Sequence, residues 1–303
     1  MSVTPEQEIE IEAQRSASNP TRRVVSGGME EILYQAIPVL DHGFVRVVDY
    51  LGNDAAIVQA ARVSYGAGTK QARGDEGLIR YLMRHRHTTP FEMCEIKLHI
   101  KLPIFVARQW IRHRTANVNE YSARYSILDR EFYIPSPENL AVQSTANAQG
   151  RGEVLPQAEA EQVIDTLRTD SEAAYEHYLQ MLAGDGRSGL ARELARMNLP
   201  ANIYTQWYWK IDLHNLLHFI ALRGDTHAQF EIRAYALVLA DIVSTWLPMA
   251  WRAFADYELG GAHLSAAQLK CLRRILNGEK VSQDESGMSA REWREFNTLI
   301  GRG

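Results

Sequence analysis

The stretch Glu95-Ile96-Lys97-Leu98-His99-Ile100-Lys101-Leu102-Pro103-Ile104-Phe105-Val106-Ala107-Arg108-Gln109-Trp110 decides the local fold of this chain. From Ile96 to Leu102, apolar residues alternate with two lysines and a histidine, which is the period-2 pattern of a half-buried strand. Pro103 ends the strand and is well suited to the first turn of the helix-compatible run that follows. The stretch therefore predicts a strand followed directly by a helix.

The segment after this helix, Arg112-His113-Arg114-Thr115-Ala116-Asn117-Val118-Asn119-Glu120-Tyr121-Ser122-Ala123-Arg124-Tyr125, is the part of the chain richest in functional groups. Its arginines offer planar forks of donors that match phosphate geometry and stay charged, so they indicate an anionic, phosphorylated ligand. Gln109 and Arg112 are three residues apart and share a helix face. We expect a loop around Asn117 to Asn119 that folds back over the ligand. A solvated arginine-rich surface is the alternative interpretation.

The rest of the chain predicts an α+β fold, in which helices pack on a small antiparallel sheet. A second strand is expected near Val45 to Tyr50, and residues 135–155, rich in Pro, Asn, Gln, Ala and Gly, predict a mobile loop. Helical patterns run from Ala158 onward, over Ala191 to Met197, Leu213 to Arg223 and Ala228 to Trp246, and as amphipathic stretches over Ala266 to Leu276 and Ala290 to Ile300.

Composition narrows the class of protein. The net charge of -4 and the pI near 6.2 argue against a nucleic-acid or membrane-surface protein. The two cysteines, Cys94 and Cys271, are too few for a disulfide framework, and neither lies in a metal-ligand spacing. No secretory signal or membrane-spanning run is recognisable, so a cytoplasmic location is expected.

The arginine-rich segment resembles the signature of the flavin-dependent thymidylate synthases. The resemblance rests on Arg112-His113-Arg114 followed after seven residues by Ser122, with Asn119-Glu120 between them and Arg124-Tyr125 after them. Further matches follow the same order along the chain: Ala61 to Ser64, His87 to Glu92, Pro103 to Trp110, Ala191 to Arg196 with Leu199-Pro200, Leu222-Arg223, His227 to Gln229 and Glu231 to Arg233. Residues 40–257 carry the resemblance.

The resemblance implies an α+β domain assembled as a homotetramer, with active sites built where subunits meet. Along the chain we expect three parts: a flexible N-terminal extension over residues 1–29, the catalytic domain over 30–260 and a helical tail over 261–303. It also implies synthesis of dTMP from dUMP, with 5,10-methylenetetrahydrofolate as carbon donor and NADPH as reductant acting through FAD.

Residue roles follow from the matched positions. Arg223 is expected to be the catalytic residue, stabilising negative charge as uracil N3 ionises, without a cysteine nucleophile. A cation at a helix C-terminus next to Gly224 is the structural alternative. The flavin contacts implied are Thr89, Arg112, His113, Arg114, Glu120, Asp212, His214 and His218. The dUMP contacts implied are Gln109, Arg112, Glu120, Ser122, Ala123, Arg124, Arg196 and Arg223, with Arg112, Arg124, Arg196 and Ser122 holding the phosphate.

Several positions depart from the family pattern. Asn117 stands where serine is common, and Ala123 replaces a common glycine. Asp212, His214 and His218 stand where asparagine or arginine is usual. An acid and two imidazoles still offer hydrogen bonds to a flavin ring or adenine.

Parts of the sequence are also compatible with two other classes of function. His214 and His218, four residues apart on a helix, could be ligands of a metal-dependent hydrolase together with Asp225 and His227. Asn215, however, stands where such a hydrolase needs its glutamate base. An RNA-binding module could use the arginines together with Trp110, Tyr121 and Tyr125 as stacking platforms, although the acidic pI argues against it.

Overall fold

The computed structural model describes residues 3–63, 75–144, 150–182 and 188–302. It confirms the α+β class. One sheet is antiparallel and five-stranded, in the order β1-β2-β3-β7-β4, and a two-stranded hairpin pairs β5 with β6. The strands are β1 Ala36–Val39, β2 Gly43–Leu51, β3 Glu95–Pro103, β4 Asn117–Glu120, β5 Ala141–Gln143, β6 Arg151–Val154 and β7 Tyr204–Asp212.

Fourteen α-helices are numbered along the described residues. They are α1 Pro5–Ser16, α2 Gly27–Ile32, α3 Asp54–Val63, α4 Asp75–Arg84, α5 Thr89–Glu92, α6 Ile104–Trp110, α7 Gln157–Leu182, α8 Arg192–Ala195, α9 Leu213–Arg223, α10 Phe230–Trp246, α11 Pro248–Phe254, α12 Ala266–Leu276, α13 Gln283–Ser286 and α14 Ala290–Leu299. Short 3-10 turns cover Pro137–Asn139 and Arg196–Asn198, and a π-helical turn covers Ala255–Leu259. Across the described ranges, no helix combines the length and apolar character that a membrane crossing requires.

The predicted strand and helix around Pro103 are both confirmed. Strand β3 ends at Pro103, which then serves as the N-cap residue of α6. All four alternating apolar residues of β3 are fully buried. Directly opposite them on β7 lie Ile211, Trp209, Trp207 and Thr205, so one face of the two central strands is continuous and water-excluded. The predicted helix Leu213 to Arg223 has the bounds of α9.

Two segments predicted as loops contain strands, and these predictions were wrong. Residues 117–120 form β4, because their backbone pairs in register with β7 from Lys210 to Trp207. The polar side chains of β4 are all exposed, so the segment has none of the apolar alternation by which a strand is recognised. Residues 135–155 include the hairpin β5–β6, and only 145–149 of this range lie outside the described residues. Ser64, the last residue of the matched segment Ala61 to Ser64, also lies outside them.

Lys101 also differs from expectation. The alternating pattern assigns it to the polar side of β3, yet it is only 1% exposed and its ammonium forms an ion pair with Glu131. Its carbonyl accepts a hydrogen bond of 2.7 Å from the Tyr235 hydroxyl of α10. A buried charge is retained only where an opposite charge or hydrogen bonds compensate for lost water, and Glu131 supplies that charge.

Trp110 anchors the aromatic core beneath the sheet. It is fully buried, and its ring lies 5.2 Å from that of Trp209, at 88°, and 4.5 Å from that of Phe219 on α9. Edge-to-face and tilted aromatic contacts of this kind add specific geometry to the burial of large apolar surface. Because Trp110 is the last residue of α6, this packing fixes where the arginine-rich segment begins relative to α9.

The chain divides into two compact units, Met1–Arg252 and Ala253–Gly303. The first contains the sheet and begins with α1, which occupies part of the segment predicted to be a flexible extension; Thr4 and Gln7 form a capping box at its start. The second has its own small core of Cys271, Met288 and Phe296, formed by the helical tail that the amphipathic patterns predicted.

Candidate active site

Arg223 and His113 meet at the ends of two helices. Helix α9 ends at Arg223, and the chain leaves α6 three residues before His113. The Nε of Arg223 donates a hydrogen bond of 3.0 Å to Nε2 of His113. Burial, the Arg223 charge and nearby His218 lower the pKa of His113 to about 4, so the imidazole is neutral near pH 7 and can accept this bond. Burial also lowers the pKa of Arg223.

A chain of side-chain hydrogen bonds connects the start of α9 to the arginine-rich segment. Asp212 is the N-cap residue of α9, and its carboxylate accepts bonds of 2.9 and 2.7 Å from the backbone N–H and side-chain amide of Asn215. The side-chain oxygen Oδ1 of Asn215 in turn accepts a hydrogen bond of 2.8 Å from the Thr115 hydroxyl. Both oxygens of Asp212 are therefore already engaged in capping.

The two histidines of α9 differ in their exposure to solvent. The ring of His218 is exposed and lies 6.0 Å from that of His113, whereas His214 is half-buried one turn earlier. The structure thus brings His113, His218 and Arg223 together. Within the described ranges, no group of three His, Cys, Asp or Glu side chains is arranged to hold a metal ion.

A pocket of about 420 Å³ opens beside the edge strand β4. Four predicted site residues line it together: Glu120, Ser122, Ala123 and Arg196. Glu120 is opposite Trp207 on β7, so its side chain is on the face that carries the core tryptophans. Its Oε1 accepts a hydrogen bond of 2.9 Å from the hydroxyl of Thr205, which is buried in β7 and also lines the pocket.

Thr205 is a pocket residue that the sequence analysis missed. Its signal was the alternation of Thr205, Trp207, Trp209 and Ile211 with more polar residues, which the structure turns into the buried face of β7. Recognising this second period-2 segment would have identified the strand and, with it, the residue that holds Glu120.

Arg124 lies beside this pocket rather than in its lining. Its guanidinium forms an ion pair of 3.3 Å with Glu193 of α8, and both side chains are about half exposed. The backbone carbonyl of the same Glu193 accepts a bond of 3.3 Å from Nε of Arg196. The backbone N–H of Arg124 donates to the Ser122 hydroxyl at 3.3 Å. Two of the four residues expected to bind the phosphate, Arg124 and Arg196, thus contact Glu193, and a third, Ser122, is bonded to the backbone of Arg124.

Two further arginines of the segment are not paired with any acid in the described part of the chain. The side chains of Arg112 and Arg114 are exposed and have no hydrogen bond or ion pair with any described residue. On the half-buried Gln109, Oε1 is shielded from solvent and likewise has no hydrogen-bond partner among the described residues. Groups with unmet electrostatic and hydrogen-bonding capacity mark where a polar, anionic ligand can bind.

Thr89 lines a different cleft. This cleft has a volume of about 550 Å³, and its walls, from α3, α4 and α5, are mostly apolar. His87 also lines it. Within a single chain, Thr89 therefore does not share the pocket of Glu120 and Ser122.

Comparisons with known proteins identify the family to which the chain is related. A sequence model of the family described as thymidylate synthase complementing protein matches residues 46–249. The chain is 67% identical to the flavin-dependent thymidylate synthase of Ruegeria pomeroyi over 302 residues, covering 100% of both chains, and 59% identical to that of Gluconobacter oxydans, covering 99% of both. A UMP/dUMP methylase from Streptomyces cacaoi, solved with bound 5-Br dUMP, is similar at a TM-score of 0.65 and 31% identity, over 73% of this chain and 98% of that chain. This protein belongs to the flavin-dependent thymidylate synthase family.

Proposed function

We propose that this protein methylates dUMP to dTMP, taking the carbon from 5,10-methylenetetrahydrofolate and the reducing equivalents from NADPH through FAD. The observation that carries the proposal is the Arg223–His113 pair. One N–H of the Arg223 guanidinium is held by a neutral imidazole, and its other N–H groups have no partner among the described residues. A cation oriented in this way is suited to an anion that forms beside it.

The chemistry needs such a cation because neutral uracil is a poor carbon nucleophile. Loss of the N3 proton places negative charge on the ring and makes C5 nucleophilic. A guanidinium oriented before the reaction stabilises that charge without reorganisation, which is how preorganised donors lower a barrier. Arg223 is therefore the proposed catalytic residue, and it acts electrostatically rather than by forming a covalent bond.

Binding of dUMP is assigned to the pocket beside β4 and its margin. Ser122, Arg124 and Arg196 supply donors for the phosphate, together with Arg112. Gln109 offers a shielded side-chain oxygen to which no described residue donates a hydrogen bond. The remaining proposed contacts are Glu120, which Thr205 holds in place, the backbone around Ala123, and Arg223 at the ring. The similar methylase solved with 5-Br dUMP supports this choice of substrate.

The donor set also fits FAD. The guanidinium groups of Arg112 and Arg114, which have no partner among the described residues, suit its pyrophosphate. Neutral His113 and exposed His218 suit hydrogen bonds to its polar ring edges. Thr89, Glu120, His214 and Asp212 complete the proposed contacts; Asp212 would act mainly by fixing the start of α9, since Asn215 occupies both of its oxygens. Bound FAD would supply the two-electron reducing chemistry that turns the transferred one-carbon unit into a methyl group.

The cysteines favour a mechanism without a thiolate nucleophile. Burial, with a smaller effect of Asp54, raises the pKa of the Cys94 thiol to about 12. Cys94 is fully buried, and its sulfur lies 3.7 Å from the Asn53 carbonyl oxygen. Cys271 is buried in the core of the C-terminal unit. Since the thiolate is the nucleophilic form, Cys94 is unsuited to attack on a pyrimidine, and the burial of Cys271 keeps a pyrimidine from reaching it.

We further propose a homotetramer with shared active sites, in a reducing cytoplasm. Thr89 and Glu120 line separate clefts of one chain, although both are proposed to contact the same flavin. A site completed by a second subunit would reconcile the two positions. The catalytic domain is proposed to span residues 30–260, after the extension 1–29 and before the tail 261–303.

The first experiment is the visible absorption spectrum of the purified protein under anaerobic conditions. It is recorded before and after addition of NADPH, with and without dUMP. A flavin band that bleaches, and bleaches faster with dUMP, is the expected result. A colourless protein that also fails to take up added FAD would refute the proposed function.

A further inference from the structure

Glu193 occupies a distinctive position between two of the proposed phosphate-binding arginines. Its carboxylate forms an ion pair of 3.3 Å with Arg124, and its carbonyl accepts the 3.3 Å bond from Arg196. Its neighbour Arg192 donates a bond of 2.8 Å to the carbonyl of Tyr125. Helix α8 is thereby tied to the loop that carries Ser122 and Arg124.

Arg124 contacts Glu193 and does not line the pocket. Ser122 and Arg196, by contrast, line it. A carboxylate and a phosphate present similar oxygen acceptors to a guanidinium fork, so each can take the place of the other. We propose that Glu193 is a positioning residue whose carboxylate substitutes for the nucleotide phosphate at Arg124 until dUMP binds. This inference rests on the proposed function.

The exchange is energetically accessible because the ion pair is solvated. Arg124 and Glu193 are 53% and 54% exposed, and ion pairs so open to water contribute little net stability. A phosphate monoester carries nearly two negative charges near neutral pH and three acceptor oxygens, so it outcompetes one carboxylate for the same guanidinium. Arg124 then turns toward the pocket, where Ser122 and Arg196 already lie.

The contact also bears on specificity. A ligand without a phosphate gains nothing by displacing Glu193, so deoxyuridine leaves the Arg124–Glu193 pair intact. A nucleotide must displace the carboxylate before it gains Arg124. Glu193 therefore affects the affinity for dUMP and leaves the affinity for deoxyuridine unchanged.

The test uses the full-length holoenzyme and isothermal titration with dUMP and with deoxyuridine. Removing the competing charge in Glu193→Gln should tighten dUMP binding by about threefold, the scale of one exposed ion pair, without changing deoxyuridine binding. Glu193→Asp, which keeps the charge, should remain closer to the original protein. Glu172→Gln is the matched control, because Glu172 forms a similarly exposed pair with Arg130, which is not assigned to the site.

The affinity of the Glu193 variants for dUMP decides whether the carboxylate competes with the phosphate. Tighter binding of dUMP to Glu193→Gln supports the inference, and Glu193→Ala repeats the test should the first variant fold poorly. Unchanged or weaker binding of dUMP to both variants overturns it, since a carboxylate that merely orients Arg124 would help rather than compete. Failure of the unmodified holoenzyme to bind dUMP at all would instead refute the proposed function.

Discussion

Arg223 donates its Nε hydrogen to Nε2 of His113 over 3.0 Å, although both are basic side chains. Two bases pair in this way only if one of them is neutral, and burial keeps His113 uncharged by lowering its pKa to about 4. The guanidinium therefore keeps its full charge and is oriented by an acceptor that does not neutralise it. A carboxylate in place of His113 would have held Arg223 equally well but cancelled the charge.

Replacing Arg223 by alanine should reduce kcat by at least about a hundredfold, because the charge proposed to stabilise ionised uracil is lost. Steady-state kinetics of dTMP formation measure this effect, and flavin absorbance shows whether FAD remains bound. Arg223→Lys keeps a cation but loses the planar donor fork, so we expect intermediate activity. Normal turnover by the alanine variant would remove Arg223 from its assigned role.

Replacing Arg124 by alanine should weaken dUMP binding by about tenfold or more, the usual effect of losing one charge-assisted hydrogen bond. FAD affinity should stay within about twofold, because Arg124 is not among the proposed flavin contacts. Equilibrium titration of each ligand checks both effects. Arg130→Ala is the control, since Arg130 binds Glu172 and Glu176 outside the site. Equal losses for both ligands would mean that the two binding sets have been divided wrongly.

Replacing Glu131 by glutamine should destabilise the protein by roughly 2 kcal/mol, because Lys101 then loses the charge that it contacts in a buried position. Urea unfolding followed by tryptophan fluorescence measures the change. The exposed pair Arg130–Glu172 provides the comparison, and Glu172→Gln should change stability by less than about 1 kcal/mol. Equal effects of the two substitutions would contradict the role of burial.

Stability should fall as pH drops from about 6.5 toward 4, in part because of His99. Burial, Arg46 and Lys101 lower the pKa of His99 to about 4. Over this window the unfolded chain binds a proton that the folded chain excludes, so acid favours unfolding, whereas above the window both states are neutral. Urea unfolding at several pH values gives the slope of the free energy of unfolding against pH. In His99→Gln this slope should be smaller by up to about 1.4 kcal/mol per pH unit. An unchanged slope would show that His99 does not contribute to the loss of stability at acid pH.

The parts of the fold predicted from sequence are those whose own residues carry the periodic signal. Strand β3, helix α9 and helix α12 were recognised because their apolar residues repeat at the spacing of the element itself. Strand β4 was not, because its four exposed residues become a strand only through pairing with β7. The burial of Lys101 likewise depends on Glu131, thirty residues away, which no local pattern reveals.

In the candidate site, too, the features carried by one continuous segment could be predicted, and those that depend on distant segments could not. The cluster of arginines was visible in one continuous segment, whereas Thr205 and Glu193 reach it from distant segments through β7 and α8. Sequence reasoning also could not tell that Asp212 uses both oxygens to cap α9, because that depends on the rotamer of Asn215.

The pairing of the edge strand β4 with β7 limits which insertions and deletions this segment of the chain tolerates. Successive side chains along a strand point to opposite faces, so Glu120 reaches Thr205 only in the observed register, opposite Trp207. Loss or gain of one residue between Asn117 and Glu120 would turn the carboxylate to the other side of the sheet, although Glu120 itself would remain in the sequence. Single-codon insertions and deletions here should therefore be selected against as strongly as substitutions of Glu120 itself, and changes of two codons less so.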